Sequence, residues 1–133
     1  MSVDVFVQAF ADGNPAHIRA EAVRSLADPY VIQSSEGYAS IQTADGGADF
    51  LGYGGDGGLA VVGATGVEIW NLVVAIAQVT GAVVIPVGGT PVVVDALRID
   101  DLPEDVRNTV RVVANGTELA IALGVVEDPE TRG

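Results

Sequence analysis

Between Arg24 and Arg98 the chain runs for 73 residues without a single Lys, Arg or His, yet this stretch carries Asp28, Glu36, Asp45, Asp49, Asp56, Glu68 and Asp95. The same stretch holds most of the apolar residues from which a core can be built. A buried carboxylate without a cationic partner is too costly to tolerate, so these acids have to lie on the outside of whatever fold forms. They lie there uncompensated by neighbours in sequence. A one-signed surface of this kind attracts basic partners and repels nucleic acid and anionic membrane.

With 133 residues, 49% of them hydrophobic, the chain is the size of one domain and is too apolar for disorder despite its net charge of −12. It has no Cys, so disulfides, thiolate metal sites and a Cys nucleophile are excluded, and stability must come from packing. The start Met1-Ser2-Val3-Asp4 lacks the basic and apolar regions of a secretory signal. The most apolar segment, residues 67–87, is interrupted by Glu68, Asn71, Gln78 and Pro86, which argues against a membrane span. The expectation is a cytoplasmic protein with a single domain over residues 1–125 and a polar tail over 126–133.

Val3, Val5 and Val7 alternate with Asp4, Phe6 and Gln8, the period of a strand, which stops at the turn signal Ala11-Asp12-Gly13-Asn14-Pro15. Ile18, Ala22, Val23 and Leu26 share a helical face, with a start expected near Arg19 and an end before Pro29. Residues 38–43, 48–53 and 59–62 read as an antiparallel meander joined by Asp45-Gly46-Gly47 and Gly54-Gly55-Asp56-Gly57-Gly58. Thr65 stands three residues before Glu68, a capping-box spacing, and residues 67–79 run as a helix until Gly81 offers a left-handed cap. Ile69, Trp70, Leu72, Val73, Ile76 and Val79 are its expected buried face. Strands are expected at 82–87, 91–94 and 110–114, a short acidic helical turn at 101–105, and a closing helix capped by Asn115 with Glu118 and ending near Leu123. The pattern is α+β: a two-layer antiparallel or mixed sheet with helices packed mainly on one face.

Motifs that carry chemistry are weak. Val61-Val62-Gly63-Ala64-Thr65-Gly66 resembles a dinucleotide-binding strand, turn and helix, but Ile69 stands where the third glycine belongs, Glu68 would repel phosphate, and the βαβ context fails. Gly52-Tyr53-Gly54-Gly55-Asp56-Gly57 matches a glycine-rich pattern, yet it leads into a strand. His17 is the only histidine, and no serine lies in a nucleophile elbow. Paired carboxylates at Asp45 and Asp49, at Asp100-Asp101 and at Glu104-Asp105 sit in turns, where acids ordinarily solvate the fold. No catalytic, cofactor-binding or metal-ligating residue is assigned.

A surface reading remains. Glu36, Tyr38, Asp45, Asp49, Tyr53 and Asp56 combine aromatic area for anchoring with charge for steering and form the candidate partner-binding set. The competing reading is that the tyrosines pack at the sheet edge and the acids serve solubility. The chain also resembles a family of small, largely uncharacterised bacterial proteins. The likeness is carried by Val3-Asp4-Val5-Phe6-Val7-Gln8 leading into Asp12-Gly13-Asn14-Pro15, by Glu21-Ala22-Val23-Arg24-Ser25-Leu26, and by the Trp70 helix with the apolar strand after it. It continues in Leu102-Pro103 and Val112-Val113-Ala114-Asn115-Gly116-Thr117-Glu118-Leu119. It covers nearly the full length, and the Gly52 to Gly58 loop departs from the pattern. The resemblance implies an immunity-type protein that neutralises a cognate basic toxin by occluding its active site, with no cofactor and no enzymatic activity. The alternatives are a small nucleotide-binding domain or enzyme using the Gly63 to Gly66 turn, and a regulatory protein-binding module without a toxin partner.

Overall fold

The computed structural model describes residues 3–125. Along it lie β1 (Val5–Ala11), β2 (Asn14–Ala16), α1 (Ala20–Ala27), β3 (Val31–Ser35), β4 (Gly37–Gln42), β5 (Gly47–Tyr53), β6 (Leu59–Thr65), α2 (Glu68–Thr80), β7 (Val83–Pro86), β8 (Val92–Val93), β9 (Arg111–Val112) and α3 (Gly116–Ala122). The strands form one open sheet in the order β3-β4-β5-β6-β1-β7-β8-β9, with β2 folded back onto β1. All pairings are antiparallel except β8 with β9. This is the α+β sheet with helices that the sequence pattern predicts. The tail at 126–133 lies outside the described residues.

The alternation in β1 places Val5, Val7 and Ala9 on the inner face and Phe6, Gln8 and Phe10 on the outer one. β6 and β7 both run antiparallel to β1 and flank it, so they are parallel to each other and α2 is the crossover between them. That crossover brings the longest helix onto the inner face. Ile69, Trp70, Val73, Ile76 and Ala77 of α2 are fully buried there against Val5, Val7, Phe50 and Val61, with α1 and α3 packed alongside. Trp70 is 1% exposed, and its indole Nε1 has no hydrogen-bond partner among the described residues. Val79, expected in this core, is 43% exposed instead, because it falls in the last turn beyond the sheet-facing stripe. No acidic or other charged side chain among the described residues is buried. No helix among them is long and apolar enough to cross a membrane.

The meander, the Gly81 cap with its φ of 71° and the Asn115 cap, whose side chain accepts from Glu118 N at 2.9 Å, stand where expected. The capping box at Thr65 does not form. Thr65 ends β6 and its Oγ1 accepts from Gly47 N at 3.2 Å, while α2 begins at Glu68 without a cap from the preceding residues. The first turn signal is also tighter than expected. Asp12 and Gly13 both take positive φ (51° and 81°), which lets Asn14–Ala16 return as β2, an edge strand that tolerates Pro15. The last strand shortens to β9, and the helical turn expected at 101–105 does not form as such: a 3₁₀ helix covers Ala96–Asp101 instead, and residues 104–109 follow as non-helical turns.

A second, smaller core occupies part of the outer face. Val83 and Val93, on the side of β7 and β8 away from α2, are covered by Leu102 and flanked by Phe10, Ile85, Ile99, Val106 and Val110. Three of these flanking side chains come from the segment between β8 and β9, which folds back over this end of the sheet. Over β3 to β6 the outer face has no such cover among the described residues.

Candidate functional site

The six candidate residues do not converge on one patch. The turns after β4 and after β5 lie at opposite ends of the seven-residue β5, so Asp45 and Asp56 are separated by about 20 Å. Asp45 serves the fold, because its carboxylate accepts from Val67 N at 2.8 Å and Glu68 N at 3.2 Å. The Val67 amide above all, with the Glu68 amide and the Thr43 hydroxyl adding to it, holds its pKa below the usual carboxylate range, against a desolvation that ranks second to Val67 and opposes them. It supplies from across a turn the cap that Thr65 does not. It also occupies the amides at the start of α2 where a phosphate would sit in a nucleotide site. Gly66, at φ +80°, is needed for this approach, because a Cβ there would stand 2.5 Å from Asp45 Oδ1.

Asp56 is exposed in the turn after β5. Its carbonyl accepts from Ile18 N at 2.9 Å and its carboxylate lies 3.2 Å from His17 Nδ1, a solvated contact of little energetic weight. Glu36 and Tyr53 line a cleft of about 550 Å³ together with Arg24, Asp28, Ser34 and Gly55. Tyr53 faces the helices, stacks at a tilt on Phe50 with centroids 6.4 Å apart, and donates from its hydroxyl to Asp28. Burial first and the Asp28 carboxylate second push its phenol well above the ordinary tyrosine range, with Arg24 opposing them. Arg24 brings positive charge into this cleft, so the cleft is not one-signed.

Tyr38 and Asp49 are together, on the other face. The Tyr38 hydroxyl donates to Asp49 Oδ1 at 3.1 Å, both side chains pointing outward from neighbouring strands. They mark the rim of a feature built by strand register. Tyr38 pairs with Leu51, Leu51 with Ala60, Ala60 with Phe6, and Phe6 with Ile85, so these five residues form one row across β4, β5, β6, β1 and β7. Phe6 is 52% exposed and Leu51 43%. A hollow of about 240 Å³ opens beside Phe6 and Ala60, lined also by Gln8, Gly57 and Gly58. In the adjoining row Asp49 pairs with Val62, and Asp4, one residue ahead of β1, accepts from Gly63 N at 2.9 Å. The uncovered half of the outer face is thus an apolar row with carboxylates along one side.

Phe6, Leu51 and Asp4 lie outside the set that the sequence suggests. The signal for Phe6 is present in the sequence as an aromatic at an outward position of β1, between Asp4 and Gln8. Joining it to Leu51 and Tyr38 requires the strand order, which alternation within single strands does not contain. Among the described residues, no three His, Asp or Glu side chains are grouped to hold a metal ion.

Comparison with models of protein families, with curated proteins and with solved structures finds no match.

Proposed function

We propose that this chain is a protein-binding domain of immunity type, which captures a basic toxin protein and neutralises it by covering its active site. The observation that carries this reading is the uncovered outer half-face, where the exposed Phe6 and Leu51 and the half-buried Ala60 between them lie contiguous beside the carboxylates of Asp4 and Asp49. Single exposed apolar side chains are ordinary on soluble proteins, whereas a contiguous apolar row with a polar rim is the composition of an interaction surface. The net charge of −12 favours a cationic partner through faster encounter. The surface then holds the partner through apolar contact. The resemblance supplies the toxin-directed part of the reading, and a cationic active-site cleft is the natural counterpart of such a surface.

The test is to co-express the product of the adjoining gene with this chain and to measure complex formation and rescue of growth. A complex that forms at low salt, weakens as salt rises and restores growth supports the reading. Growth arrest by that product that this chain does not relieve, with no complex between the purified proteins, overturns it.

A further inference from the structure

We infer that the uncovered half of the outer sheet face seats a cationic amphipathic helix of the partner, with the helix's apolar side on Phe6, Leu51 and Ala60 and its Lys or Arg flanks on Asp4 and Asp49. This deepens the protein-binding reading and rests on it. The dimensions select a helix: from β4 to β1 the open row crosses three strand spacings, about 14 Å, against a helix diameter of about 10–12 Å with side chains. Beyond β1 the covering segment at Leu102 and Val106 closes the face, so no second sheet of comparable breadth fits. The hollow beside Phe6 and Ala60, floored in part by Gly57 and Gly58, has room for one large apolar side chain. Leu51 and Tyr38, in the same cross-strand row, then meet the other side of the helix across its width.

Charge selects the sign of the flanks. Asp49 is engaged by the Tyr38 hydroxyl and Asp4 by Gly63 N, and both bonds leave acceptor positions on carboxylates held to fixed places on the face. An arginine or lysine on the helix flank therefore meets oriented acceptors. A second copy of this chain would instead set Asp4 and Asp49 against like charges under a net charge of −12 on each molecule. Nucleic acid and anionic lipid are repelled for the same reason.

The experiment uses the full isotope-labelled chain and a synthetic amphipathic helix of Leu and Lys, about 15 residues long, or roughly four turns. A control peptide has the same composition, scrambled so that no apolar side exists. Amide shifts on titration should be saturable and concentrated at residues 4–8, 38–40, 49–51 and 58–62, and the scrambled peptide should bind about tenfold more weakly. Phe6→Glu should weaken the amphipathic peptide by about tenfold or more. Asp4→Asn with Asp49→Asn, which keeps an acceptor for Gly63 N and Tyr38, should lose a few-fold at low salt, while Glu21→Gln on α1 should not. If Phe6→Glu alters the free spectrum, Leu51→Gln takes its place. Equal binding of the two peptides, shifts centred on Glu36, Asp56 or the helical face, or no binding up to about 1 mM, a level of some −4 kcal/mol, would overturn the assignment. Because the probe is independent of the adjoining gene, failure here leaves the co-expression result standing, and the reverse also holds.

Discussion

The outer face of the sheet is one surface treated in two ways. Around β7 and β8, Val83, Val93 and Leu102 are 1%, 0% and 1% exposed because the chain returns over them. Around β1 and β5, on the same side of the same sheet, Phe6 and Leu51 stay about half in water. The row that links them is continuous through the Phe6 and Ile85 pair, so residue chemistry does not separate the halves. What separates them is a covering segment with little regular structure, turns and a 3₁₀ helix, held by the apolar contacts of Leu102 and Val106. Full burial of a side chain such as phenylalanine is worth about 1.5–3 kcal/mol, so leaving Phe6 half exposed forgoes on the order of 1 kcal/mol in the isolated chain. That unrealised burial is available to a partner.

The contrast can be broken most forcefully at its buried end. On the inner face, Trp70→Ala should cost about 3–5 kcal/mol, and on the covered outer half Leu102→Ala about 2–5 kcal/mol, both read from urea unfolding. Near-wild-type stability for Leu102→Ala would show that the covering segment is not a true second core. The two halves would then differ only in appearance.

Most elements are legible in the sequence because they rest on local signals, whereas the strands β2 and β3 are not read there. Alternation from Val3 to Gln8, the apolar residues of the Trp70 helix, Gly81 and the Asn115 cap each report their own element. The site was legible only in part. The sequence shows that Asp45 is acidic and in a turn, but not that α2 starts opposite that turn and draws the carboxylate onto Val67 N. Tyr38 and Tyr53 look alike in one dimension, yet a register shift between Gly37 and Tyr38 and the positive φ of Gly52 send them to opposite faces. Strand order, which builds the Phe6 row, is a long-range property.

Two further variants sharpen the division between acids that hold the fold and acids that face solvent on the sheet. Tyr53→Phe removes the hydroxyl that donates to Asp28 and should cost about 0.5–1.5 kcal/mol in denaturant unfolding. In the wild type the raised phenol pKa makes this contribution complete below the ordinary tyrosine value of about 10 and lost as pH rises beyond it. Asp45 works in the opposite sense. Its depressed pKa means that the ionised cap stabilises the fold above the ordinary carboxylate range and that this stabilisation disappears as pH falls through the folded value. The stability gap between wild type and Asp45→Asn should therefore be widest near neutrality and close in acid, measured by thermal unfolding at a series of pH values. A gap that stays constant with pH would mean that the Asp45 carboxylate is as free as a solvated one.

The smallest expected change in stability carries the sharpest information. Phe6→Gln should alter unfolding free energy by about 1 kcal/mol or less, since about half of the side chain is already in water and it lies on the face away from the inner core. The combination of Phe6→Gln with Leu51→Gln should nevertheless sharply reduce the binding of an apolar dye to the native protein, because it breaks the exposed row at its two most accessible members. Substitution on the covered half gives the reverse pattern: large loss of stability, and dye binding that rises as the core opens. If the Phe6 and Leu51 pair destabilises as much as Leu102→Ala, those side chains are core that happens to touch water, and the row has no surplus to offer a partner. If stability holds and dye binding falls, the outer face divides into a half that closes the fold and a half that the folded chain leaves open.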